Sequence, residues 1–160
     1  ELISEKTIES IIKLDKAQVM SNLILPRINE KGNWRSRYNS VMITTKLLQN
    51  SLNGVDPLDQ VFVQNFAGFT VAMSLDNVYA VREAAYKTLC LYPQSNATSI
   101  IESLTSIVTE QTEDFQKQIL REFFTTAHST IAKYSDRNKL ESVMKMINFN
   151  DPSFFDVVNK

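Results

Sequence analysis

Asn33-Trp-Arg-Ser-Arg-Tyr38 and Asn77-Val-Tyr-Ala-Val-Arg-Glu83 carry one device twice, an aromatic residue three positions ahead of an arginine at the head of a helical segment. The two arginines, Arg37 and Arg82, stand 45 positions apart, inside the roughly 40 to 47 residues typical of helical-hairpin repeats. That spacing sets the expected architecture. Outward from the pair, apolar residues recur at helical spacing almost everywhere, and only three glycines (Gly32, Gly54, Gly68) and four prolines interrupt the chain. The prediction is an all-α protein, an α-α superhelix of about four stacked hairpins.

The hairpins are expected at about 15–49, 56–91 and 96–134, with an incomplete one at 136–160 and a remnant helix of a preceding hairpin at 1–13. In that remnant, about Ser4 to Lys13, Ile8, Ile11 and Ile12 share a face. In the first hairpin Asp15 is a plausible N-cap, and Val19, Met20, Leu23 and Ile24 form a stripe before Pro26, where a kink is expected because proline supplies no N–H. The helix from Trp34 is expected to bury Tyr38, Val41, Met42, Thr45 and Leu48.

The second hairpin opens at Asp56-Pro57, read as a cap followed by proline at the first helical position. Phe62, Phe66, Phe69 and Met73 then follow at spacings of 4, 3 and 4. Its second helix, about Val78 to Leu91, turns Val81, Ala84, Ala85 and Leu89 inward. Asp76 stands where a carboxylate caps that helix, as Asp151 does in the last unit. The period continues weakly beyond, with Gln118 and Val157 at the arginine position.

Composition narrows the function classes. Seventeen basic and eighteen acidic residues leave no field to attract nucleic acid or an anionic membrane. No apolar run approaches the roughly 20 residues that span a bilayer. A single cysteine, Cys90, makes no internal disulfide and suits a reducing compartment, cytoplasm or nucleus. Asn96-Ala-Thr98 matches the glycosylation pattern, but Asn96 reads better as a helix cap. The sequence starts at Glu1 and reads as a segment of a longer array, which would leave Ile8, Ile12, Phe154 and Phe155 on cut faces available for self-association.

Several features tempt a chemical reading and fall to plainer ones. The Phe62, Phe66, Phe69, Phe123 and Phe124 stripes are at packing spacing. His128, the only histidine, and Cys90 make neither a zinc set nor a catalytic pair. Glu110, Glu113 and Asp114 fit a solvated turn. No phosphate loop, nucleophile elbow or zinc-protease helix occurs. No enzyme, cofactor or metal is expected.

The Leu-Ile-Leu-Pro26 run, the Asn33 to Tyr38 turn and above all Asp76-Asn-Val-Tyr-Ala-Val-Arg-Glu-Ala-Ala85 resemble HEAT repeats. More narrowly, Met20 to Leu91 is similar to two consecutive repeats in the later half of the scaffolding (A) subunits of protein phosphatase 2A, and to the related regulatory subunit 1 of protein phosphatase 4. Beyond Leu91 only the period persists, and the third turn carries Glu113-Asp114 with Gln118 in place of arginine.

The resemblance implies a HEAT-type solenoid whose intra-hairpin turns line up as a ridge that holds a type 2A-family serine/threonine phosphatase catalytic subunit. By position it implicates Trp34, Arg35 and Tyr79 as ridge contacts, with Asn33 and Asn77 beside them. Tryptophan and arginine suit such a role, being enriched at binding hot spots. Trp34 has a second reading, packed back on its own hairpin, and both stay open. Arg37 and Arg82 are better placed as a structural ladder reaching capping carboxylates such as Asp76. The leading function is a non-catalytic scaffold; the alternative is a tubulin-binding HEAT-type (TOG-like) module, disfavoured by the acidic third turn.

Overall fold

The computed structural model describes residues 2–30 and 32–92, together with Asn96, Ser99, Ile100, Glu102, Ser103, Ser106, Ile119 and Glu122. The expected hairpins at 96–134 and 136–160, and with them Glu110, Glu113, Asp114, Gln118, Phe123, Phe124, His128, Asp151, Phe154, Phe155 and Val157, lie outside those residues apart from the few named. The described chain is all-α. Its helices are α1 (Glu5–Ile11), α2 (Lys16–Val19), α3 (Trp34–Leu52), α4 (Gln60–Ser74) and α5 (Tyr79–Leu89).

Four of the five helices begin on a side-chain cap. Ser4 accepts from the Thr7 N–H, Asp15 from Ala17 and Gln18, Asn33 from Arg35, and Asp59 from Phe62. Such caps satisfy donors that the helix itself leaves open. After α2 the hydrogen-bond ladder widens to a π turn over Met20–Ile24 and then tightens to a 3₁₀ turn over Leu25–Asn29. Pro26 sits at the change. It has no N–H to give, and its ring excludes the regular helical register. The Ser40 hydroxyl donates to the Leu23 carbonyl at 2.7 Å, fastening the irregular segment to α3.

The start of α4 differs from expectation. Asp56 does not cap it: its carboxylate pairs with Lys16, and the helix begins three residues later on Asp59. The cause lies in how α3 ends. Gly54 takes a left-handed φ of 73°, the Gly54 and Val55 N–H groups return to the Ser51 and Asn50 carbonyls at 3.2 and 2.9 Å, and the Asp56 N–H follows to Asn50 at 3.3 Å. This Schellman closure, with Leu58 N–H on Ser51 Oγ at 3.0 Å, holds residues 55–58 against the helix end and out of a new helical turn.

Helices α1, α3 and α5 lie side by side with α3 in the middle, and the irregular 20–29 segment and α4 pack behind them. Ile24, Val41, Leu48, Phe66, Phe69, Val81, Ala85 and Leu89 fill the space between the two layers. Burying each of the larger of these side chains contributes about 1.5–3 kcal/mol. Phe66 and Phe69 belong to this core, and Phe62 lies at its edge.

The inward face of α3 also differs from expectation. Arg37, Ser40, Val41, Ile43, Thr44, Leu47 and Leu48 are its deep positions, whereas Tyr38, Met42 and Thr45 are half-buried toward α5. Hydroxyls face inward because they find carbonyls, the Ser40 proton shared between Leu23 at 2.7 Å and Ser36 at 3.0 Å, and the Thr44 proton on Ser40 at 2.9 Å. Ile8 is likewise corrected. It is 7% exposed, part of the core cluster, with Ile12 half-buried, while Glu5, Lys6, Thr7, Glu9 and Ser10 face solvent. The outer face of α1 is polar, and Ile8, expected on an open face, is turned into the core instead. Among the described residues no helix is long and apolar enough to cross a membrane.

Candidate functional site: the paired turns

The turns that precede α3 and α5 are joined through one carboxylate. Arg37 donates Nε to Asp76 Oδ2 at 2.6 Å and Nη2 to Asp76 Oδ1 at 3.1 Å, and both side chains are nearly closed to water, 5% and 6% exposed. The remaining guanidinium arm, Nη1, donates to the Glu30 carbonyl at 3.0 Å in the turn ahead of α3. Asp76 Oδ1 accepts in addition the Val78 N–H at 2.8 Å, forming the turn that leads into α5. Val78 itself has no capping side chain. Asp76 therefore shapes its own turn and holds the preceding one beside it.

Arg82 repeats the pattern one hairpin on. Its Nη1 donates to the Asp76 carbonyl at 2.8 Å, and its other two nitrogens reach Glu122, Nη2 to Oε2 at 3.0 Å and Nε to Oε1 at 3.4 Å. Each arginine thus spends one arm on the turn before its helix and two on a carboxylate, 39 residues downstream for Arg37 and 40 for Arg82. Tyr86 lies in the same surroundings, and its hydroxyl is pushed well above the ordinary tyrosine range, first by burial and then by the Glu122 charge, against the opposing pull of Arg82.

Outside this buried frame stand the other sequence-derived residues. Trp34 is half-buried, with its ring edge-on to Tyr38 (centroids 6.4 Å apart, planes at 81°) and the Arg35 guanidinium carbon 4.8 Å from the indole centroid. It both packs on its own helix and keeps an open face. Arg35 is exposed, and among the described residues no carboxylate pairs with it. Tyr79 is 59% exposed, with Arg82 5.5 Å from its ring centroid. Asn33 is exposed but occupied as the α3 cap, at 3.0 Å from the Arg35 N–H. Asn77 is exposed with no such duty.

A groove of about 450 Å³ runs from this edge between α3 and α5. Tyr38, Met42 and Thr45 form one wall, Ala80, Ala84 and Thr88 the other, and Trp34 stands at the turn end. Thr45 and Thr88 hydroxyls meet across it at 2.6 Å. Among the described residues no three His, Cys, Asp or Glu side chains are grouped to hold a metal ion. Asn96 is buried, 1% exposed, which leaves no room for a glycan on the folded chain.

Sequence reasoning singled out the arginines and Asp76 but not Glu122 or the groove. For Glu122 the signal was available, since it lies 40 residues beyond Arg82, against 39 from Arg37 to Asp76. Alignment by turn position concealed it, because that alignment puts Gln118 at the arginine position and Glu122 four residues after it, not at the capping position six residues ahead. The groove walls needed the true phase of α3. No protein-family model, curated protein or solved structure matches this chain.

Proposed function

We propose that the chain is a HEAT-type solenoid segment acting as a non-catalytic scaffold, and that its intra-hairpin turns bind the catalytic subunit of a type 2A-family serine/threonine phosphatase. The observation that carries the reading is the division of labour in the paired turns. Arg37 and Asp76 hold two turns in fixed relation from inside, while Trp34, Arg35, Asn77 and Tyr79 present aromatic and polar groups outward from them. Rigid presentation of a few amphipathic side chains is what a binding ridge requires, since ordering mobile groups at association lowers affinity. The likeness of 20–91 to phosphatase scaffold repeats supplies the partner class.

The test is direct binding of the purified 160-residue chain to a type 2A catalytic subunit and, in parallel, to tubulin. Binding to the phosphatase, weakened about 30-fold or more by Trp34→Ala with Arg35→Glu, is the expected result, corresponding to about 2 kcal/mol for a hot spot. Binding to tubulin alone, or phosphatase binding indifferent to that double substitution, overturns the assignment.

A further inference from the structure

We infer that the α3–α5 groove is the pocket of the ridge, and that it receives a bulky apolar side chain of the phosphatase partner that lies next to an acidic residue. The inference rests on the ridge reading above and adds the chemistry of the contact. Its first support is continuity. Trp34 belongs both to the outward ridge and to the groove wall, and Ala80, on the opposite wall, directly follows the exposed Tyr79. A partner seated on the turns therefore meets the groove mouth.

The second support is what the groove offers. Near its mouth the walls are the rings of Trp34 and Tyr38, the Met42 thioether and the small side chains of Ala80 and Ala84, a lining that accepts apolar bulk. Its ionic pair, Glu83 with Lys87 at 3.6 Å, is self-compensated. Arg35 is not. Its guanidinium lies 4.8 Å from the centroid of Trp34, a residue that lines the groove, and among the described residues no carboxylate neutralises it. An acidic group on the partner completes that arginine, while the adjoining apolar side chain enters between the helices.

Plugging the groove without touching the ridge separates the two claims. Ala84→Trp fills the groove from the α5 wall. With the type 2A catalytic subunit as probe, it is expected to weaken binding at least about tenfold. Should Ala84→Trp fail to fold by circular dichroism, Ala80→Leu narrows the same groove nearer Trp34. In parallel, Arg35→Gln should flatten the salt dependence of binding, which Arg35→Lys should retain. Unchanged affinity for a folded, plugged variant overturns the pocket while leaving the ridge intact if Trp34→Ala still weakens binding. Absence of binding by the parent chain overturns both.

Discussion

Arg37 and Arg82 make the same shape with their guanidinium groups and hold very different things. The Arg37 pair is 5% and 6% exposed with contacts of 2.6 and 3.1 Å; the Arg82 pair is 10% and 33% exposed with contacts of 3.0 and 3.4 Å. In the first, the carboxylate belongs to a turn and is shared with a backbone N–H. In the second, it is a glutamate with one side toward water. The repeated arginine therefore does not imply a repeated energy. A buried pair is costly to break because the surviving charge is stranded, whereas a pair with one carboxylate a third exposed is partly screened and re-solvated more easily.

Asp76 is where that contrast breaks most sharply. Asp76→Ala leaves Arg37 charged, buried and unpaired, and also strips the Val78 N–H of its acceptor. Breaking a buried pair costs about 3–5 kcal/mol, and urea unfolding followed by circular dichroism should register a loss of that size. Asp76→Asn keeps an oxygen for Val78 and should fall between the parent and alanine. A loss below about 1 kcal/mol for Asp76→Ala, the level of an exposed pair, would erase the distinction between the two joints.

How much of this was legible beforehand depends on which residues carried the signal. The repeat was readable because Arg37 and Arg82 follow aromatics at equal spacing, and the core positions of α4 because Phe66, Phe69 and Met73 fall on one helical face. The phase of α3 was not, since its inward stripe includes Arg37, Ser40 and Thr44, polar side chains that bury only because each finds a partner in the folded chain. Nor was the start of α4. Asp56-Pro57 is locally a good helix opening, but the closure at the end of α3 holds residues 55–58 and Lys16, 40 residues earlier, takes the carboxylate. Local pattern yields wherever a long-range partner claims the group.

A smaller effect tests whether the second hairpin is closed as tightly as its core packing implies. Tyr92 is 1% exposed, and its hydroxyl meets Thr70 Oγ1 at 2.8 Å. Burial pushes its pKa far above the ordinary value, with the Thr70 hydrogen bond opposing weakly. Above about pH 10 the unfolded chain loses this proton while the folded chain keeps it. The unfolded state then binds fewer protons, and stability falls as pH rises, having been fully present below that range. Tyr92→Phe should be less stable than the parent near neutrality, by about 1 kcal/mol for the lost hydrogen bond, and should show a shallower decline above pH 10. Parallel alkaline slopes for the two proteins would place the Tyr92 hydroxyl in water.

The least perturbing change is expected at the second joint. Glu122→Gln removes the charge facing Arg82 but leaves an oxygen able to accept, and the Asp76 carbonyl still holds Nη1 at 2.8 Å. With Glu122 a third exposed, the loss should be about 1 kcal/mol or less at low salt, and it should shrink further near 1 M salt, where the screening length is about 3 Å. The Asp76→Ala penalty should persist under the same salt, because water and ions do not reach that pair. Comparing the two penalties across ionic strength turns a difference in burial into a difference in slope. Equal slopes would mean that the arginine ladder is uniform after all, and that the turn ahead of α5 is held no more firmly than the joint that follows it.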